Sequence, residues 1–103
     1  MKKTYLFLAT GFEEVEALAV VDILRRADIT CTTVSVTGDI NVTSSHKITV
    51  KADRLFEDGS LFDADMLILP GGAPGYKNLL AHEGLKELLC SYNAEKKYIA
   101  AIC

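Results

Sequence analysis

Three short stretches of this sequence carry residue types that do chemistry: Glu13-Glu14-Val15-Glu16, Pro70-Gly71-Gly72, and the cysteine at position 103. Cys103 follows the apolar run Tyr98 to Ile102. In an α/β chain the element after such a strand is usually a helix, whose N-terminus faces the sulfur and favours its thiolate. A thiolate there is a nucleophile, whereas a buried strand-end cysteine is a small hydrophobe, and the residues alone leave both readings open. Cys31 falls mid-strand and Cys90 beside Leu88-Leu89 in a helical pattern, so both read as small core residues.

Carboxylates in the first turn of a helix are stabilised by its dipole, and that accounts for Glu13 and Glu14. Glu16 differs. A helix turns by about 100° per residue, so Glu13 and Glu16 share a face that Glu14 and Val15 do not. A carboxyl group near the strand ends can hydrogen-bond a thiolate or move a proton. Gly71-Gly72 is not a phosphate loop, because that pattern needs a glycine where Tyr76 stands. The pair reads either as a plain strand-to-helix turn or as a turn whose amides point at a reacting centre, an oxyanion hole. His46 lies in a polar loop and His82 at a helix start, and solvent exposure is expected for both.

The elements that must position these residues follow from periodicity. Thr4 to Ala9 is a short apolar run bounded by lysines and Thr10-Gly11, a strand buried on both faces. From Glu13 to Ala27 the pattern is helical, with Ala17, Val20, Val21 and Leu24 as the buried stripe. Thr30 to Thr37 is largely β-branched and reads as a second strand. Ile40 to Thr43 and Lys47 to Lys51, separated by Ser44-Ser45-His46, form a hairpin-like excursion. Met66 to Leu69 is a third core strand, Leu79 to Ala94 a helix with Leu85, Leu88 and Leu89 on one face, and Tyr98 to Ile102 a last strand. The order β-α-β, hairpin, β-α-β predicts a doubly wound sheet with helices on both faces. Ligands bind such sheets at the C-terminal ends of the strands. The three stretches that carry chemistry all lie there and should converge.

Composition narrows the possibilities. The 103 residues suit one domain or part of one, and half of them are hydrophobic, as in an ordinary globular protein. With 11 basic and 14 acidic residues intermixed, there is no basic stripe for nucleic acid or an anionic membrane surface. No stretch approaches the ~18 apolar residues of a transmembrane helix, and Tyr5 to Ala9 is too short for a signal peptide. Three scattered cysteines form neither a disulfide framework nor a metal motif, and they point to a reducing, cytoplasmic compartment.

Gly11-Phe12-Glu13-Glu14-Val15-Glu16, Leu69-Pro70-Gly71-Gly72 and Ala100-Ala101-Ile102-Cys103, in this order and spacing, resemble the ThiJ/PfpI superfamily. The similarity is to the branch containing the parkinsonism-associated protein deglycase and its bacterial relatives. It implies a flavodoxin-like, mostly parallel sheet, of which residues 1–103 are the N-terminal part of a single domain ending at the nucleophile elbow. It further implies that Cys103 is the reactive cysteine, that Glu16 is the carboxylic acid touching its sulfur, and that Gly71 and Gly72 supply oxyanion-hole amides. No cofactor and no metal are expected. The implied activity is of the glyoxalase or protein-deglycase type, on methylglyoxal or its adducts. The alternatives are an oxidative-stress sensor or chaperone-like protein using a sulfinate-forming cysteine, and a peptidase-like branch with a histidine after the nucleophile. A homodimer through the first helix is expected, with Val15 and Leu18 as an apolar strip beside the core stripe. The resemblance also places a helix, a histidine and further strands after the nucleophile, so a C-terminal companion segment is expected to complete the sheet.

Overall fold

The computed structural model describes residues 2–103. In chain order the elements are β1 (Lys3–Leu8), α1 (Glu14–Arg26), β2 (Thr30–Ser35), β3 (Asn41–Thr43), β4 (Thr49–Lys51), β5 (Arg54–Leu55), a 3-10 turn (Phe56–Asp58), β6 (Met66–Leu69), α2 (Gly75–Leu80), α3 (Glu83–Ala94) and β7 (Tyr98–Ala101). Five strands form one parallel sheet in the order β5-β2-β1-β6-β7, and β3 and β4 pair as a separate antiparallel hairpin. This is the doubly wound α/β arrangement expected from the order of elements, and the flavodoxin-like fold that the resemblance implies.

The central strand β1 explains why the sheet is covered on both faces. Tyr5 and Phe7 point into one core with Leu67, Leu85, Leu88 and Tyr92, under α2 and α3. Leu6 and Leu8 point into the other with Ala17, Val21 and Ile68, under α1. Because successive strand residues alternate faces, a strand buried on both sides must be apolar throughout, and Leu6, Phe7 and Leu8 are fully buried. α1 carries Glu14 and Glu16 in its first turn and Arg25 and Arg26 in its last, matching its dipole.

The structure departs from the expected elements in four places. The helix expected over Leu79 to Ala94 is two helices, because His82 takes an extended conformation and its Nδ1 accepts the Leu85 N–H at 2.9 Å, capping α3. Its ring also packs edge-on against Phe56, at 4.6 Å between centroids, so His82 is half-buried rather than exposed. The apolar periodicity runs on across the break, so the leucines did not reveal it. Cys90 is exposed rather than a core residue, since it lies about 200° around α3 from buried Leu88. β2 stops at Ser35 instead of Thr37 because the Ser35 hydroxyl bonds to the Asp39 carbonyl at 2.6 Å and accepts the Thr37 amide, diverting the backbone into a turn. Finally, β5 is a two-residue strand that no periodicity marked.

Tyr92 fixes the approach to β6. Its buried Oη donates to the Leu61 carbonyl at 2.6 Å and accepts the Ala64 amide at 3.0 Å. Tyr92→Phe leaves both buried backbone groups without that partner and is expected to destabilise the fold by about 1–3 kcal/mol; urea unfolding of the variant against wild type measures it.

Candidate functional site

β1, β6 and β7 are parallel neighbours, so the segments leaving their C-terminal ends meet at one edge of the sheet. Two hydrogen bonds join the first two segments reciprocally. The Glu13 amide donates to the Gly71 carbonyl at 2.8 Å, and the Gly71 amide donates to Glu16 Oε1 at 2.9 Å. The third segment is tied in where the Ile102 amide donates to the Leu69 carbonyl at 3.2 Å. Cys103, Glu16, Gly71 and Gly72, the four residues expected at the site, are therefore brought together.

The space around Gly71 sets the geometry. A Cβ at Gly71 would lie 2.4 Å from Glu16 Oε1, 2.6 Å from Cys103 Cβ and 3.0 Å from the Ile102 carbonyl oxygen. Glu16 and Cys103 thus both crowd the position that a side chain at residue 71 would take. Gly72 has φ +111°, and a Cβ there would lie 2.4 Å from the Glu13 amide nitrogen. The Gly71 amide is aimed at the Glu16 carboxylate, so an oxyanion at the same amide has to share it with Glu16.

Cys103 is exposed and has φ +70°, in the left-handed region that costs a non-glycine residue about 1–2 kcal/mol. It borders an apolar cleft of about 220 Å³ whose lining includes Gly71, Tyr76, Leu80, Lys86, Leu89 and Ile102. A small, mostly apolar electrophile that enters this cleft reaches the sulfur.

Glu13 acts as the N-cap of α1, accepting from the Val15 and Glu16 amides at 3.3 and 3.1 Å. Its role at the helix N-terminus is thus structural, as expected. Glu14 is different from what was expected. It is only 9% exposed and is bonded by the Ser44 hydroxyl, and His46 Nδ1 lies 2.5 Å from its Oε1. Those bonds, Ser44 first and His46 second, hold its pKa down from the ordinary 4.5 to about 2, while Glu14 raises the pKa of His46. His46 is solvent-exposed, as expected, yet it is paired. The signal for this cluster was present in the sequence: Glu14, Ala17 and Val21 fall at i, i+3, i+7, so Glu14 lies on the buried stripe, where a carboxylate needs partners.

Glu13, Glu14 and His46 place one candidate ligand atom each within 4.8 Å of one another. The carboxylate oxygens already accept hydrogen bonds, those of Glu13 from the helix amides and those of Glu14 from Ser44, with His46 Nδ1 beside them.

Comparison with known proteins identifies the family and the fold. The model of the DJ-1/PfpI family matches residues 2–103. The Danio rerio Parkinson disease protein 7 homolog is 36% identical over 103 residues, covering 99% of this chain and 54% of that protein. The Arabidopsis thaliana protein DJ-1 homolog B is 33% identical over 102 residues, covering 99% of this chain and 23% of its own length. Oxidized Toxoplasma gondii DJ-1 superposes with a TM-score of 0.96 at 34% identity, covering all of this chain and 56% of that one. A cysteine-to-alanine mutant of a DJ-1 superfamily protein from Salmonella typhimurium also gives 0.96, at 36% identity and the same coverage. The chain therefore spans about half the length of several of the relatives it matches, and less of others. No described helix is long and apolar enough to cross a membrane.

Two outcomes follow from the geometry. Gly71→Ala is expected to slow alkylation of Cys103 by iodoacetamide about tenfold or more by displacing Glu16 and Cys103 from each other, read by peptide mass spectrometry with Cys90 as the exposed control. The Glu14–His46 pair contributes stability that is lost on the acid side as pH falls below 4.5 through about 2, and on the alkaline side as pH rises above 6.5 through the raised His46 value. Exchange of the Ser45 amide, which donates to the Phe12 carbonyl, is expected to lose protection on the alkaline side. His46→Gln should abolish that alkaline dependence.

Proposed function

The chain belongs to the DJ-1/PfpI family, and from that premise we propose that it carries the nucleophile and proton-transfer carboxylate of a cysteine-dependent glyoxalase or deglycase acting on methylglyoxal or its adducts. The observation that supports this reading is that Cys103 and the Glu16 carboxylate lie together against the side-chain position of Gly71. The Cys103 thiolate adds to the aldehyde carbon of methylglyoxal and the oxygen takes up a proton, giving a hemithioacetal. Glu16 removes the proton from that carbon and returns one to the neighbouring carbon, so the electron pair moves through an enediol and the product is a thioester. Water then cleaves the C–S bond, releasing lactate and the thiol. The sum is methylglyoxal plus water giving lactate, and no oxidant or reductant is consumed. The apolar cleft beside Cys103 suits a three-carbon electrophile.

A second reading is favoured by the oxidized state of the Toxoplasma gondii relative. In it, peroxide oxidises the Cys103 thiolate to a sulfenate and a second equivalent carries it to a sulfinate, the peroxide being reduced to water or alcohol. The same carboxylate, protonated, would then donate to the sulfinate.

We also propose that α1 lies against a second copy of the chain. Val15 is 69% exposed and, with Leu18, Ala19 and Ile48, forms a shallow apolar surface outside the core stripe.

Cys103→Ser and Glu16→Ala are each expected to lower conversion of methylglyoxal to lactate about a hundredfold or more; unchanged turnover in either would contradict the enzyme. Under mild peroxide the sensor reading requires Cys103 to oxidise before Cys31 and Cys90, which peptide mapping tests. Val15→Glu is expected to shift the mass measured by light scattering from dimer to monomer.

A further inference from the structure

We propose that Glu14, gripped by the tip of the β3–β4 hairpin, is a positioning residue that sets Glu16 against Gly71 and Cys103. The proposal rests on the reading of Cys103 and Glu16 as the site, but not on the substrate. The segment from Thr10 to Glu16 is held from two sides. On the sheet side the Gly75 amide donates to the Gly11 carbonyl at 3.1 Å, Asn78 Nδ2 to the Thr10 carbonyl at 2.7 Å, and the Glu13 amide to the Gly71 carbonyl at 2.8 Å. On the other side the hairpin supplies the Thr43 carbonyl to the Gly11 amide and the Ser45 amide to the Phe12 carbonyl, both at 2.9 Å.

Glu14 is the only side chain of this segment that enters the hairpin bonds among the described residues. It accepts from the Ser44 hydroxyl and pairs with His46 Nδ1, while the Ser44 hydroxyl in turn accepts the Ile48 amide at 3.0 Å. The β3–β4 hairpin is only three residue pairs long and lies outside the main sheet, so it needs such anchoring to hold one position. Glu14 and Glu16 belong to the same first turn of α1. A rotation of that turn therefore moves the Glu16 carboxylate away from the Gly71 amide, and a shift of about 1 Å at a reacting pair is enough to change its rate many-fold. Glu13 and His46 are the titratable groups that face Glu14, and Glu13 is fixed by its own capping bonds.

The test is a double-mutant cycle on Cys103 reactivity in the intact protein. Glu14→Gln removes the charge that pairs with His46 and turns one accepting oxygen into a donor, so the bonds from Ser44 and His46 are weakened and rearranged. The rate of iodoacetamide alkylation of Cys103 is measured against pH in wild type, Glu14→Gln, Glu16→Ala and the double variant, with Cys90 as internal control. Glu14→Gln is expected to shift the Cys103 rate about threefold or more in the direction that Glu16→Ala shifts it, and to add nothing in the Glu16→Ala background. An unchanged Cys103 rate in Glu14→Gln, or the same change with Glu16 already removed, overturns the proposal. Ser44→Ala, which removes a single bond to Glu14, is expected to move the rate the same way by less. Should Glu14→Gln not fold, an unchanged rate in Ser44→Ala overturns the proposal alone. Absence of methylglyoxal turnover in wild type would sink the enzyme reading and leave this cycle intact.

Discussion

The hydrogen bond from the Gly71 amide to the Glu16 carboxylate is the contact on which the site depends. It crosses from the end of β6 to the first turn of α1, and it forms only because residue 71 has no side chain. The reciprocal bond from Glu13 to the Gly71 carbonyl keeps the two segments in register, so the carboxylate is held by backbone geometry on both sides. A charge-assisted bond to a backbone amide is among the stronger neutral-to-charged contacts a protein can make. Here it fixes the direction of the group proposed to move the proton.

The sheet makes this arrangement affordable. Four of the six residues of β1, Tyr5, Leu6, Phe7 and Leu8, are fully buried, with apolar cores on both faces, so the strand ends are rigid points from which short segments project. A left-handed cysteine opposes the backbone's preferences, whereas the positive φ of Gly72 is one that glycine adopts freely. The two-sided grip on residues 10–16, from Gly71 to Asn78 on one side and the β3–β4 hairpin on the other, fixes the Glu16 side of the site. Loops that carry chemistry on α/β folds are commonly held by the scaffold in this way.

Much of this was legible in the sequence because it rests on periodicity. A continuously apolar β1, the stripe of Ala17 and Val21, and strand runs cut off by Gly11 and by Pro70-Gly71 fixed the order of elements, and the order places Glu16, Gly71 and Cys103 at one edge. What was not legible depends on single side-chain bonds. The break before α3 hangs on one histidine nitrogen, and the early end of β2 on the Ser35 hydroxyl. Neither alters the pattern of apolar residues. Cys90 was misread because an apolar neighbourhood in sequence is not one in space when a helix turns it outward. The Glu14 cluster was half-legible: the stripe shows that Glu14 is buried, but only the fold brings Ser44 and His46, thirty residues and more away, onto it.

Hydrogen exchange of the Gly71 amide, compared between wild type and Glu16→Ala in the intact protein, tests the central contact most directly. The account predicts a protected Gly71 amide in wild type that loses its protection in Glu16→Ala, while the Glu13 and Ile102 amides keep theirs. Equal exchange of Gly71 in the two proteins would show that Glu16 does not hold that amide, and the site as described would be wrong.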